Sequence, residues 1–314
     1  METVGKSELW SYFDDESKAR TADNDAIRRG PGHEVSSYWD LASKLAEIQF
    51  RNPNFVLLFR GQSGDYFNRA GNSSLKPSLL RPVRAAPGSL DPKHNKPPNE
   101  TELSDRFNTL KSAERLLLEN YTWRNVSKRG EKQPYVDRME RKRLERQRIL
   151  RWALLQHYDV CGTPLLDVTH SLRVAASFAS HHDPDTAFVF VLAVPNLSGA
   201  ITASADAGLQ IVRLSSVCPP VAVRPHLQEG YLLGEYPDMP DFEQKRHYGH
   251  YEVDFGRRLL AKFRFHPTTF WKGDTFLRIA RDALYPPANK DPFCQLAERI
   301  KEQLWPQTRT VPRT

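Results

Sequence analysis

The stretch 156–180, QHYDVCGTPLLDVTHSLRVAASFAS, constrains the fold of this chain more than any other. Gly162 and Pro164 bracket a turn, because glycine permits a left-handed exit from a helix and proline cannot continue one. The two leucines that follow predict a short buried strand ending at Asp167. The alanine-rich segment beyond it predicts a helix whose small side chains allow close packing, and structural packing alone explains that pattern. The stretch therefore predicts a helix–turn–strand–helix unit.

The composition predicts a globular protein without membrane spans. The 314 residues are 39% hydrophobic, with a mean hydropathy of -0.60, which suits one large decorated domain or two small ones. No apolar run approaches the roughly 20 residues that cross a bilayer. The three cysteines, Cys161, Cys218 and Cys294, are widely spaced and odd in number. They imply no disulfide framework, and we expect a cytoplasmic protein.

The chain divides into three predicted regions. Residues 1–34 form a polar, peripheral N-terminal segment, 35–265 form the main domain, and 266–314 form a C-terminal helical extension. The main domain contains a Pro-rich insertion at 82–99 and a two-helix insertion at 101–158. Strands interspersed with helices predict an α+β fold, with a mixed or split β-sheet flanked by helices.

Five segments carry the main predictions of secondary structure. The apolar runs Phe55–Phe59, Thr186–Val194 and Pro220–Val223 predict strands. Val136–Tyr158 predicts one long helix that is basic first and apolar later. Asp241–Phe263 mixes charged and aromatic residues, and we interpret it as helical.

Arg60 follows an apolar strand, where a guanidinium is costly unless an anion or carboxylate accompanies it. The neighbouring Gly61 lets a ligand approach the backbone, and Gln62 adds a polar group. One interpretation is a phosphate or pyrophosphate ligand. The other is a structural ion pair between Arg60 and Asp167.

Asp167 and His157 each have a structural and a functional interpretation. Asp167 either caps the next helix or pairs with an arginine, or it contacts a ligand hydroxyl. His157 either forms local hydrogen bonds or lines the site. Its proximity in sequence to Cys161 and His170 invites a metal or thiol mechanism, but no spacing typical of zinc ligands is present. We therefore predict no metal.

The segment after position 136 is strongly basic. Its charges surround the predicted helix, which is typical of a solvated arm but also suits a nucleic-acid surface. A net charge of +7 is compatible with a polyanionic partner. The candidate nucleic-acid-binding residues are Arg138, Arg141, Lys142, Arg143 and Arg146.

Three motifs together resemble the FRG domain family. Phe59-Arg60-Gly61 looks like the motif that names the family, and QHY-x-x-x-x-TPLLD-x-T over 156–169 is similar to its second hallmark. Gln228-x-Gly230-x-Leu232 resembles a third, weaker motif. The resemblance covers roughly 35–265. One departure is Val168, where the family often has tryptophan, so a stacking role at that position is not expected.

The resemblance implies a layout similar to that of ADP-ribosyltransferases. By this analogy Arg60 would hold the pyrophosphate of NAD, and Thr169 and Ser171 would line the nicotinamide-ribose pocket. Either Gln228 or Glu229 would be the late catalytic residue. The candidate substrate-binding residues are Arg60, Gly61, Gln62, His157, Tyr158, Asp167, Thr169 and Ser171.

The resulting hypothesis is an NAD-dependent ADP-ribosyltransferase-like enzyme, acting as a bacterial toxin or phage-defence effector. It would use NAD as co-substrate and a protein or nucleic acid as acceptor. The alternative is a non-catalytic module that binds a nucleotide or nucleic acid through Arg60 and the basic helix 138–151. A third hypothesis is a structural interaction protein, and the oligomeric state stays open.

Overall fold

A computed structural model gives the architecture of most of the chain. It describes residues 1–4, 9–14, 17–81, 97–121, 138–218, 222–239, 241–246, 253–273 and 276–306, with 138–140 and 245–246 described by backbone alone. Most of the predicted Pro-rich insertion, 82–96, lies outside these residues, as does 122–137.

The described residues contain ten strands in two sheets. They are β1 Leu9–Ser11, β2 Arg20–Ala22, β3 His33–Glu34, β4 Val56–Gln62, β5 Leu166–Thr169, β6 Ala187–Val194, β7 Ile201–Ser204, β8 Leu209–Arg213, β9 Gly230–Glu235 and β10 Leu259–Phe265. β1 and β2 form a small antiparallel pair. The other eight form one sheet in the order β3-β10-β6-β4-β5-β9-β8-β7. Only β3 and β10 are parallel among these neighbours.

Helices pack around this sheet. They are α1 Asn24–Arg29, α2 Tyr38–Arg51, α3 Glu100–Asn120, α4 Arg138–Arg146, α5 Arg148–His157, α6 Leu172–Ala179, α7 Leu214–Val217, α8 Val223–Leu227, α9 Phe242–Arg246, α10 Pro267–Phe270, α11 Arg281–Leu284 and α12 Pro292–Leu304. The predicted α+β class, with a mixed sheet flanked by helices, is confirmed.

The packing of α6 on β4 explains the alanines of the central stretch. A Cβ atom at Gly61 would lie 1.8 Å from the carbonyl oxygen of Ala175, and Ala179 is also adjacent. Ala175, Ala176 and Ala179 are fully buried. Glycine on the strand and alanines on the helix therefore bring the two backbones close together.

β4 is longer than the sequence predicts. The predicted strand ends at Phe59, but Arg60, Gly61 and Gln62 also pair with β6, opposite Phe190, Val189 and Phe188. Strand alternation sends Gly61 toward α6 and Arg60 and Gln62 toward the opposite face. The polar residues belong to the sheet because β6 beside them is long and apolar enough to carry their backbone pairing.

Three other segments differ from prediction. The helix predicted over 241–263 is wrong in its second half, where a 3₁₀ turn at Phe255–Arg258 leads into β10. The residues of β10 are buried almost throughout, and they pair with β6. The strand predicted at 220–223 is wrong where described, since Val223 begins α8. The predicted helix 136–158 breaks at Gln147, whose backbone is extended (φ -114°, ψ 99°).

The N-terminal segment is less peripheral than expected. β3 adds a parallel strand beside β10, and Val4, Leu9 and Ile27 are almost fully buried in the core. The few apolar side chains of this segment pack into the core, while β3 extends the sheet at one edge. Among the described helices, none is both long and apolar enough to span a membrane.

Candidate functional site

The candidate site lies where β4 and β5 part. Their register contains one residue pair, Phe59 with Thr169, whereas β5 pairs with β9 along its whole length. Just beyond this pair, Arg60 Nη1 donates a hydrogen bond to the carbonyl oxygen of Asp167 at 2.5 Å. The guanidinium therefore bridges the two diverging strands.

Arg60 is half-buried and short of negative partners. Its contact is the main chain of Asp167, and no carboxylate of the described residues forms an ion pair with it. Its buried Nε has no hydrogen-bond partner there. Burial, with a further contribution from nearby Arg81, lowers the pKa of Arg60 to about 9, and the Asp167 carboxylate opposes that shift. The direct ion pair with the Asp167 carboxylate is thus not formed.

The Asp167 carboxylate faces a polar wall. It accepts a hydrogen bond from Gln156 Nε2 at 2.6 Å, and His157 Nδ1 lies 4.0 Å from its other oxygen. Burial raises the pKa of Asp167, although Arg60 and Gln156 favour the charged form. The side chain nevertheless keeps 40% of its surface exposed. A ligand can therefore reach the exposed part of the Asp167 carboxylate.

His157 is buried and neutral. Burial, reinforced by Arg224, lowers its pKa to about 3, so the ring carries no charge at neutral pH. It contacts the site from behind Asp167. In this state it cannot serve as the positive partner of that carboxylate.

Gln156, the first residue of the QHY motif, organises this wall. Its Oε1 accepts hydrogen bonds from Ser78 Oγ and Thr163 Oγ1, both at 2.7 Å, while its Nε2 bonds Asp167. One amide therefore joins α5, the segment before residue 81 and the start of β5. The sequence interpretation placed no site role on Gln156, although the motif contained it.

Tyr158 points elsewhere. Its hydroxyl donates to the fully buried Asp291 carboxylate, at 2.9 Å to one oxygen. Burial, together with that carboxylate, raises the pKa of Tyr158 well above its usual range. The same carboxylate accepts from the backbone nitrogens of Arg224 and Phe293. Tyr158 thus anchors the start of α12, and its hydroxyl is not directed at Arg60.

Thr169 joins the second and third motifs. Its hydroxyl contacts the carbonyl oxygens of Gln228 at 2.8 Å and Glu229 at 3.1 Å, and it accepts from the backbone nitrogen of Ser171. Ser171 precedes α6, and its side chain makes no capping bond. The predicted ribose-pocket residues are therefore adjacent to the late residues, with the Thr169 hydroxyl engaged in holding the turn.

The two candidate late residues differ in exposure. Gln228 is buried, and its Nε2 donates to the carbonyl oxygen of Leu284 at 2.7 Å. Glu229 is exposed and has a positive φ of 44°, in the turn that leads into β9. Of the two, only the Glu229 side chain is open to solvent.

Three further residues act on Arg60 or Asp167, and sequence reasoning missed them: Arg81, Arg224 and Tyr285. Arg81 acts electrostatically on both Arg60 and Asp167. Arg224 lies over the ring of Tyr285, 4.3 Å from its centroid, and bonds Asp159 at 2.8 Å. Burial disfavours its charge, but Asp159 outweighs burial and the pKa of Arg224 is raised. No motif marks these residues, because each comes from a different segment.

The predicted nucleic-acid-binding residues lie on α4, which packs against α3 and α5. Arg141, Lys142, Arg143 and Arg146 are exposed, and Arg141 pairs with Glu145 at 2.9 Å. Arg138 lies at the start of α4, outside the described side chains. The helix therefore presents basic groups to solvent on its own face of the molecule.

A shallow concavity lies beside α4, and Arg60 does not line it. Its lining residues are Tyr121, Arg143, Leu144, Leu150, Leu154, Val217 and Cys218. Because the lining is mainly apolar, this concavity is unlike the charged surroundings of Arg60. The described residues also contain no group of three or more His, Cys, Asp or Glu able to hold a metal ion.

Comparison with known proteins gives one match. No curated protein and no solved structure matches the chain. Residues 56–187 match the model of the FRG domain, a range that contains β4, β5, α6 and the start of β6. The match therefore supports the assignment of this part of the chain, with Arg60 and Asp167, to the FRG domain.

Proposed function

We propose that the Arg60 site binds the diphosphate of an NAD-type dinucleotide, and that the protein is an NAD-dependent ADP-ribosyltransferase-like enzyme. The observation that carries the proposal is the state of Arg60. A half-buried guanidinium with an unpaired Nε and no carboxylate partner among the described residues lacks the anion that its burial demands. A bound diphosphate would supply that anion.

The surrounding charges favour the same ligand. With a pKa of about 9, Arg60 stays protonated at neutral pH. Arg81 lies close enough to act on it electrostatically, and Arg224 acts on the nearby Asp167. Guanidinium groups bind phosphate oxygens through paired, charge-assisted hydrogen bonds. The exposed part of Asp167 is then available for a ribose hydroxyl.

The proposed reaction breaks the bond between C1′ of the ribose and the nicotinamide nitrogen, and nicotinamide leaves with the electron pair. A nucleophile on a protein acceptor forms the new bond to C1′ and loses a proton. Glu229 is the better candidate to stabilise the cationic ribose, because its carboxylate is exposed and the Gln228 amide already donates to Leu284. In a bacterium, such an enzyme would serve as a toxin or phage-defence effector.

The test is NAD binding and nicotinamide release by the purified chain beside Arg60→Gln. Glutamine keeps an N–H donor for the Asp167 carbonyl but removes the charge. We expect binding to weaken roughly 10- to 150-fold, the worth of a hydrogen bond to a charged group, and nicotinamide release to fall with it. Arg141→Gln removes an exposed arginine on α4 and is the matched control. Absence of NAD binding by the wild-type chain, with and without cell lysate, would overturn the proposal.

A second candidate function is nucleic-acid binding through α4. Its support is the exposure of Arg141, Lys142, Arg143 and Arg146 on one short helix. If it holds, RNA or DNA binding falls steeply with salt, and Lys142→Glu with Arg146→Glu weakens binding more than Arg60→Gln does. Binding that ignores these reversals would exclude α4 as the surface.

A further inference from the structure

Tyr285 enters the Arg60 site from the distant C-terminal part of the chain. Its hydroxyl acts electrostatically on Arg60, and Asp167 in turn affects Tyr285. The Arg224 guanidinium covers one side of its ring. Tyr285 nevertheless remains 38% exposed. The Tyr285 side chain thus lies within electrostatic range of the Arg60 guanidinium.

Two other rings fix the orientation of Tyr285 by edge-on packing. The Phe178 ring centroid lies 5.7 Å from that of Tyr285, with the planes at 72°, and the His181 centroid lies 6.2 Å away at 63°. Phe178 and His181 also contact each other at 5.4 Å. Such contacts at steep interplanar angles restrain the Tyr285 ring, which still keeps 38% of its surface exposed.

Three hydrogen bonds hold the segment before Tyr285, two through its backbone and one through a side chain. Gln228 Nε2 donates to the carbonyl oxygen of Leu284, the residue immediately before it, at 2.7 Å. Upstream, the Ile279 nitrogen donates to Ser177 Oγ at 3.0 Å, and Arg278 Nη1 donates to the Ser180 carbonyl oxygen at 2.9 Å. The segment 276–285 is thereby attached to α6 and to the third motif, although most of it is exposed.

We propose that Tyr285 is the base-stacking residue of the Arg60 site, and that Gln228 is a positioning residue that acts through it. This inference rests on the proposed function, which puts a diphosphate on Arg60. A nucleotide places its aromatic base one ribose away from its phosphates, and an exposed ring near the phosphate site can accept that base by stacking. The cation–π contact with Arg224 on the other side polarises and steadies the ring.

This role also accounts for Gln228 without assigning it any chemistry. Its buried amide reaches the main chain of Leu284 and makes no other described side-chain bond. Replacing it moves the segment that carries Tyr285. The two residues of the third motif region then have different roles. Gln228 positions the segment that carries Tyr285, and Glu229 stabilises the cationic ribose in the proposed reaction.

The test separates the base from the diphosphate. Affinities for NAD, ADP and inorganic pyrophosphate are measured by calorimetry for the wild-type chain, Tyr285→Ala, Tyr285→Phe and Phe50→Ala. Phe50 is an aromatic residue on α2 that is 85% exposed, and it serves as the control. We expect Tyr285→Ala to weaken NAD and ADP roughly 5- to 150-fold while pyrophosphate binding is unchanged. Tyr285→Phe and Phe50→Ala should bind like wild type.

The outcomes distinguish the two proposals. Equal loss of NAD and pyrophosphate in Tyr285→Ala would show that Tyr285 only supports the arginines, and no loss would show that it contacts no base. Either result overturns the inference and leaves the diphosphate site standing. If the wild-type protein binds neither NAD nor pyrophosphate, the proposed function and this inference are both overturned. As a second variant, Gln228→Met keeps the length of the side chain but cannot donate to Leu284, and it should reproduce the base-selective loss. Pyrophosphate binding at the wild-type level would show that this variant is folded, and wild-type affinity for NAD would remove Gln228 from the inference.

Discussion

Arg60 and Lys262 occupy the same row of the sheet but have opposite surroundings. Both pair with Phe190 of β6, Arg60 from one side and Lys262 from the other. Paired residues point to the same face, and two strand spacings put the Cα atoms of Arg60 and Lys262 roughly 10 Å apart. Lys262 is fully buried and donates to Asp65 at 2.6 Å and to Ser73 at 2.8 Å. Arg60 has a carbonyl oxygen instead.

This difference separates a cation that holds the fold together from one that is left available. A buried charge costs several kcal/mol unless a partner compensates it. The loop after β4 supplies that partner to Lys262, and the buried Arg28–Asp254 pair at 2.6 Å follows the same rule. No carboxylate of the described residues pairs with Arg60, and its side chain stays half-buried.

The largest expected difference in stability comes from replacing the carboxylate near each cation. Asp65→Asn should destabilise the protein by about 3–5 kcal/mol, because it leaves the Lys262 charge buried without a counter-charge. Asp167→Asn should instead raise the Tm slightly, since burial raises the pKa of Asp167 and the charged form costs stability at neutral pH. Chemical denaturation of both variants at pH 7 measures the contrast. A matching loss in Asp167→Asn would show that its carboxylate stabilises the fold.

That gain has a definite sign with pH. A carboxyl whose pKa is higher in the folded state than in the unfolded state binds more protons when folded. Asp167 therefore destabilises the protein increasingly as pH rises through its folded pKa. The advantage of Asp167→Asn should therefore vanish in acid, below the ordinary pKa of aspartate.

The next effect concerns the side of β4 that faces α6. Gly61→Ala should cost about 3 kcal/mol, because its Cβ would meet the Ala175 carbonyl oxygen and push helix and strand apart. Gly64→Ala is the matched control, since no atom lies within 4 Å of the added Cβ. Thermal unfolding compares the two. Equal Tm values would mean that the close contact of α6 with β4 does not exist in solution.

A smaller, pH-dependent effect is expected from His157. The unfolded histidine takes up a proton near pH 6.5 and the folded one only near 3, so between these values protons favour the unfolded chain. Stability should fall as pH drops below 6.5, by at most about 1.4 kcal/mol per pH unit. His157→Gln, which has no charge to gain, should show a shallower decline in denaturation series between pH 7 and 5. Parallel curves would mean that His157 is not buried as a neutral ring.

Short-range patterns predicted the parts of the site that lie within one motif. An apolar run followed by an arginine marked β4 and Arg60, and the turn after the helix marked the strand that carries Asp167. The extent of β4 was underestimated because polar residues after Phe59 indicated a loop, whereas β6 holds their backbone in the sheet. Gly61 was interpreted as room for a ligand, yet the room is filled by α6.

Residues from separate segments could not be predicted as neighbours. Arg81, Arg224 and Tyr285 lie in stretches without a motif. Gln156 and Gln228 form hydrogen bonds with Ser78 and Leu284, which are far from them in the sequence. The same limit applies to 241–263, where mixed charged and aromatic residues were interpreted as helical. The local pattern could not show that the end of this segment pairs with β6.

The amino-acid sequence alone determined the α+β class, the buried strand before Arg60, the helix–turn–strand–helix unit and the resemblance to the FRG domain. These depend on local propensity and on residue types at fixed spacing. Tertiary structure alone decided which charges are compensated. Asp65 reaches Lys262 and no carboxylate pairs with Arg60 in the described chain, although both cations face the same row. The reason is physical: electrostatic partners are set by distance in space, and chain folding brings them together from positions that the sequence leaves far apart.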